Sequence, residues 1–190
     1  MNLHVINTGF FKLDGGAMFG VVPKSIWQKS NPADANNLCN WAMRCLLIED
    51  GKQLMLIDNG MGDKQDAKFL SHYFLSGDDT LMKSIAQAGF EPKDITDNFL
   101  THLHFDHCGG GVVKNGDKLS MAFPNATYWS NPDHWTWATV PNPREKASFL
   151  TENIMPMQEQ GHLKMVDVSK PSPFGFMDIF FASGHTDKMM

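Results

Sequence analysis

Between Thr101 and Gly111 the chain reads THLHFDHCGGG, three histidines and an aspartate within six positions, then Cys108 and three glycines. This stretch limits the fold more than any other. In an extended segment successive side chains alternate between faces, so His102, His104 and Asp106 leave the chain on one side. A turn at Asp106 then brings His107 round as well. Imidazole and carboxylate together suit divalent zinc, and also iron, cobalt or manganese. A solvated loop would carry Lys, Glu and Ser instead of imidazoles at alternating positions. Gly109, Gly110 and Gly111 leave room for close backbone approach to the metals and for a following helix to start without clashes.

The flanking sequence predicts strands and helices that would present this stretch at a sheet edge. Leu3, Val5 and Ile6 lead toward Gly9 as a short strand, and Asp14-Gly15-Gly16 is a turn cluster. AMFGVVPKSIWQKSNPAD, broken by Gly20 and Pro23, reads as a long apolar loop. Its Met18, Phe19 and Trp27, with Phe10 and Phe11, are candidates for an apolar wall. Ala42–Ile48 and Gln53–Asp58 read as a hairpin around Glu49-Asp50-Gly51-Lys52. Asp79 is placed to cap a helix carrying Leu81, Met82, Ile85 and Ala88, which Gly89 ends. Asn98–Thr101 is then a strand delivering the histidines. Further strands are expected at Ala126–Ser130, His162–Asp167 and Met177–Ala182, with a helix beginning at Asp133.

With 190 residues, 42% of them hydrophobic, the chain can bury the core of one domain. No apolar window of about eighteen residues suggests a membrane span, and MNLHVINTGF has no secretory pattern, so a cytoplasmic protein is expected. Cys39, Cys45 and Cys108 are odd in number and unrelated in spacing, which fits reduced thiols. Cys108 reads as a small buried thiol, since every nearby base is better used as a ligand. A net charge of −5 without basic clusters disfavours nucleic acid and points to a small-molecule substrate. His4, His72, His134 and His162 have no ligand-type neighbours in sequence and read as structural or surface residues.

THLHFDHCGG resembles the His-x-His-x-Asp-His signature of the metallo-β-lactamase superfamily. LMLIDNG at 54–60 is similar to that family's upstream strand ending in an aspartate, and Ser183-Gly184-His185-Thr186 to its downstream Gly-His-Thr. DGGAMFGVVPK and IDNGMGDK look most like the lactonase and methyl-parathion-hydrolase-like branch. The resemblance implies an α/β fold, the four-layered αββα sandwich. Residues 1–190 would form a single domain, C-terminally truncated relative to the family and incomplete in its second half. It also implies that His102, His104 and His185 hold one metal, that Asp106 and His107 hold a second, and that Asp58 orients the ligand loop. Two divalent ions, zinc foremost, are the implied cofactors.

The implied activity is hydrolysis of small esters or lactones by a metal-bound hydroxide, with Asp106 passing a proton to the leaving group. A glyoxalase II-like thioesterase, a phosphodiesterase, and a metal-binding but catalytically silent chain are the alternatives. The resemblance admits a homodimer. The family's bridging aspartate and last histidine have no assigned counterpart here, and Asp187 is left without a role.

Overall fold

Two antiparallel strands of thirteen residues dominate one side of the computed structural model, which describes residues 1–190. The first, β1 (Asn2–Asp14), is much longer than the short strand expected from Leu3–Ile6. Its pairing shifts between Asn7 and Phe10, and Gly9 takes a positive φ of 97° there. One bulge thus lets the strand run on past Gly9. Asp14 then caps α1 (Gly15–Phe19) by accepting from the Ala17 N–H, so the expected turn cluster is a helix start. The predicted long loop holds this turn of helix and a second, α2 (Lys24–Trp27), divided where Gly20 and Pro23 break the chain.

The predicted hairpin is present as β2 (Leu38–Asp50) and β3 (Gln53–Ile57). After α3 (Ala67–Ser71) comes α4 (Leu81–Gln87), capped by the Thr80 hydroxyl rather than by Asp79. The chain continues through β4 (Asp97–Phe99), α5 (Phe105–Cys108) and a 3-10 turn at Gly109–Gly111. The glycines lead into the hairpin of β5 (Val112–Asn115) and β6 (Lys118–Met121), not into a helix. Then come β7 (Thr127–Ser130), α6 (Pro132–Thr139), α7 (Thr151–Glu159) and β8 (Leu163–Met165). The strand expected at Met177–Ala182 does not form. Its one ladder contact is an isolated bridge from Ala182 to Met189.

The main sheet has six strands in the order β1-β2-β3-β4-β7-β8. Its first three strands are antiparallel, and β3, β4, β7 and β8 run parallel. One face packs Ile6, Leu47, Leu56 and Tyr128 against Leu81 and Ile85 of α4 and Ile154 and Met157 of α7. The other face carries Ile48, Met55 and Phe99, covered by Val166 and Phe174 from an irregular segment. Burying each such aliphatic or aromatic side chain contributes about 1.5–3 kcal/mol.

The carboxyl ends of β3, β4 and β7 lie side by side, because their parallel registers match Ile57 to Phe99 and Phe99 to Trp129. Residues just past these ends therefore converge: Asp58 after β3, Thr101–His104 after β4, Asn131 after β7. This edge is where open α/β sheets place their chemistry.

Candidate metal centre

Beyond β4 the chain leaves the sheet, and the motif is a short irregular run entering one turn of helix, not the continuous extended segment expected. His104 stands at the N-cap of α5, while Asp106 and His107 lie within it. Leu103 and Phe105, between the ligand-type residues, are both buried and anchor the loop. His102, His104 and His185 come together with their candidate ligand nitrogens all within 4.8 Å of one another. Two of these three imidazoles are buried, and His185 is exposed. His104 Nδ1 lies 3.1 Å from His185 Nε2. The His107 ring packs 4.0 Å from that of His102, centre to centre. His107 Nε2 is 3.5 Å from Asp106 Oδ2. Of the five residues expected to hold metal, three thus form one compact group, and Asp106 with His107 forms a pair beside it.

Asp58 organises both parts. It takes a positive φ of 58° at the end of β3, which turns its carboxylate back toward the motif. Oδ1 accepts from the Thr101 N–H at 2.8 Å, and the Thr101 hydroxyl lies 3.0 and 2.9 Å from the two carboxylate oxygens. Because the hydroxyl proton goes to the carboxylate, Thr101 Oγ1 is an acceptor for His102 Nδ1, 3.1 Å away. His107 Nδ1 donates to Asp58 Oδ2 at 2.7 Å. Both imidazoles therefore hold a proton on Nδ1 and turn Nε2 away from Asp58. A carboxylate behind the ring is how metal-binding histidines have their tautomer fixed.

Burial, then His107 and the other neighbouring imidazoles, holds His102 far below the usual imidazole range. Burial first, with His185 and His107 next, lowers His104 to about 3. Both rings are neutral lone-pair donors at neutral pH. On His107 burial opposes the charge, but the bond to Asp58 and the nearby Asp106 outweigh it and raise the pKa.

A test of metal fit lies in the unsatisfied atoms. His102 Nε2 and His104 Nε2 are buried without a hydrogen-bond partner. Leaving a buried polar atom unpaired costs about 1–3 kcal/mol. Two such lone pairs beside a third imidazole fit a divalent cation, and the nitrogen-rich donor set suits zinc. Asp106 and His107 line a small cavity of about 70 Å³ with Phe11, Met43, Arg44 and Asp58. A larger cavity of about 410 Å³ lies elsewhere, lined by Thr8, Phe10, Leu75, Leu81 and Val112 and by no histidine. Of the expected apolar wall, Phe11 is buried next to the site, whereas Trp27 stacks on Phe19 with ring centres 4.8 Å apart.

Behind the motif Gly109 and Gly110 meet the backbone of the Asp58 loop. A Cβ on Gly109 would fall 2.0 Å from the Met61 carbonyl oxygen, and one on Gly110 would fall 2.2 Å from that of Asn59. Asn59 N–H donates to the His107 carbonyl, and Gly110 N–H to that of Gly60. The Asp58 loop and the histidine loop are thus latched main chain to main chain. Lys64 reaches into the same place and donates to the Gly109 carbonyl.

Burial lowers Lys64 to about 8, against 10.5 for the free side chain. The unfolded chain therefore binds more protons than the folded one between about pH 8 and 10.5, and Lys64 contributes stability as pH rises through that window. Wild type is expected to gain on Lys64→Met by about 3 kcal/mol from pH 7.5 to 10.5, because one proton held differently by the two states is worth about 1.4 kcal/mol for each pH unit crossed. Urea denaturation of both proteins at several pH values checks this. A constant difference across the window would contradict the burial of the amine.

All three cysteines are free and buried, and burial raises the Cys108 thiol, as suits an inert side chain. His4 and His162 have structural or surface settings, the latter bonded to the Ala126 carbonyl. Two residues that hold the site together have no signal in the sequence. His134 is 1% exposed and bonds to Leu103, 31 positions away, and to Asp187, 53 positions away. Glu145 accepts from the Thr186 hydroxyl and the Trp137 indole, each at 2.8 Å. Burial alone would raise Glu145, but these bonds and one from Asn142 lower it overall.

The model of the metallo-β-lactamase superfamily matches residues 44–147, more than half of the chain. An N-acyl homoserine lactonase of Bacillus cereus is 29% identical over 90 residues, which are 42% of this chain and 36% of that protein. A probable metal-dependent hydrolase from Staphylococcus aureus superposes with a TM-score of 0.78 at 32% identity, covering 87% of this chain and 58% of that one. A dizinc quorum-quenching lactonase in complex with a product superposes with a TM-score of 0.73 at 24% identity, covering 98% of this chain and 65% of that one. The chain thus spans well under two thirds of the first two. No helix is long and apolar enough to cross a membrane. The sheet order, the Asp58-anchored histidine loop and the match over residues 44–147 agree: the chain belongs to the metallo-β-lactamase superfamily.

Proposed function

We propose that this chain is a metal-dependent hydrolase of small esters or lactones, with residues 1–190 acting as one unit. The observation that carries this reading is the convergence of His102, His104 and His185, two of them with buried, unpartnered Nε2 atoms. Its support toward lactones comes from the relatives, which are named as lactonases.

In this reading His102, His104 and His185 hold one divalent ion, and Asp106 and His107 hold a second. Zinc suits the imidazole donors best, with iron, cobalt or manganese as substitutes. An ion bound there supplies Lewis acidity, polarising the scissile carbonyl and lowering the pKa of a water to near 7. The protein's own residues do the rest. Asp58 keeps His107 and, through Thr101, His102 in the tautomer that presents Nε2. Phe11, buried and lining the small cavity with Asp106 and His107, makes one wall of it apolar.

As a lactone opens, a water oxygen bonds to the carbonyl carbon, the ring C–O bond breaks, and the departing oxygen takes up the proton the water gave. In this reading Asp106, 21% exposed and beside His107, carries that proton once released from strict ligation.

The test is metal content beside turnover. Zinc-loaded protein is expected to hold two equivalents and to open N-acyl homoserine lactones or simple aryl esters. One equivalent without turnover would replace this reading by a metal-binding, silent chain. No uptake at all would remove both.

A further inference from the structure

One buried ring touches both segments that supply the three clustered histidines. His134 sits in the first turn of α6, whose cap is the Asn131 side chain accepting from the His134 N–H at 2.8 Å. Its Nε2 accepts from the Leu103 N–H at 2.9 Å, and Leu103 lies between His102 and His104. Its Nδ1 donates to the Asp187 carbonyl at 2.6 Å, two residues past His185. An acceptor at Nε2 and a donor at Nδ1 define a single neutral tautomer.

The segment around His185 has no strand or helix to hold it, and most of its moorings come from the stretch that carries His134. Asn131 Nδ2 donates to the Lys188 carbonyl at 2.8 Å, and Thr186 donates to Glu145 at 2.8 Å. Those two bonds fix the segment to α6 and the loop after it, and Met190 N–H donates to the Thr101 carbonyl at 2.9 Å, at the start of the histidine loop. Of the residues in α6 and the loop after it that moor the segment, His134 alone also bonds to the histidine loop, and it does so between His102 and His104.

We propose that His134 is a positioning residue that sets the register of His185 against His102 and His104, and so the affinity of the three-histidine site for metal. This rests on the metal reading given under Proposed function. An aromatic ring of similar size at this position would fill the space but leave the Leu103 N–H and the Asp187 carbonyl buried and unpaired. The two segments would then keep the Met190–Thr101 bond but lose the link that lies closest to the three imidazoles. Loss of a partner that orients a ligand from behind typically weakens metal binding 10–100-fold.

The experiment compares wild type, His134→Phe and His134→Gln by zinc titration against a chromophoric chelator, at a temperature where circular dichroism shows each folded. A glutamine can offer its oxygen to Leu103 and its amide to Asp187. Expected is a weakening of about 10–100-fold in H134F and recovery of most of it in H134Q. In wild type, long-range ¹H–¹⁵N spectra are expected to show His134 protonated at Nδ1 only, with a Nε2 signal that shifts as zinc is added. Wild-type affinity in H134F overturns the proposal while leaving the metal reading intact. So does equal loss in both variants. Where neither variant folds, the wild-type spectrum decides: a proton on Nε2, or a ring indifferent to zinc, overturns it. A wild-type chain that takes up no zinc overturns the metal reading and this proposal together.

Discussion

His104→Ala is expected to abolish zinc uptake at the three-histidine group and to lower hydrolysis by about a thousandfold or more, equivalent to ~4 kcal/mol of lost transition-state stabilisation. His104 is 6% exposed, its ring packs 4.8 Å from Phe149, and its Nδ1 meets His185. Removing it takes away one donor and its contact with His185. Folding should suffer less than binding does. The imidazole is buried with Nε2 unpartnered, so deleting it also removes a desolvation cost that offsets part of the lost packing. The measurement is paired: zinc stoichiometry by inductively coupled plasma spectrometry, and thermal unfolding in excess chelator. Zinc binding at wild-type stoichiometry and affinity in H104A would show that the cluster is not the metal site.

The second large effect is on folding. Gly109→Ala places a methyl carbon 2.0 Å from the Met61 carbonyl oxygen and 2.6 Å from its carbon. Both are main-chain atoms, so no rotamer change relieves the clash. The two loops must part, which breaks the bonds from Asn59 to His107 and from Gly110 to Gly60. The expected cost is on the order of 3–5 kcal/mol, at the high end for a single methyl. Gly116→Ala is the control. Its φ is 61°, but nothing lies within 4 Å of its added Cβ, so only the backbone penalty of about 1 kcal/mol applies. Urea denaturation of both variants separates close approach from backbone preference. Equal losses would mean that the two loops do not press together.

Much of the site is legible in the chain because its residues cluster in sequence. Four of the ligand-type residues fall within His102–His107, and ordinary turn signals mark Asp58 and His185 as the ends of neighbouring segments. The alternation of an extended strand does not hold through the motif, since α5 begins inside it. The seating of one loop on another at Gly109 and Gly110 has no local signal, because the Met61 and Asn59 carbonyls they press against lie far away in sequence.

Long-range features lie outside the reach of pattern. Met177–Ala182 has strand-like composition, yet a strand needs a neighbour to pair with, and only Ala182 finds one. The helix α7 is hidden in the sequence because Pro156 sits inside it and its buried Asn153 is polar, answered by Gln65 from 88 positions away. His134 resembles any isolated histidine, because nothing local shows that its two ring nitrogens face a backbone N–H and a carbonyl from distant segments.

The histidine loop is also rooted in two separate cores. Leu103 and Cys108 belong to the large cluster under the sheet, while Phe105 belongs to a small one with Phe11, Met43 and Met61, flanked by Phe69 and Tyr73. A cluster with four buried members opens more readily than one with twenty-one. Opening of the small one would free Phe105, and with it the turn carrying Asp106 and His107, while Leu103 kept its hold. In the proposed two-metal reading, exchange at that end would proceed on the timescale of local breathing, without waiting for the whole chain to unfold.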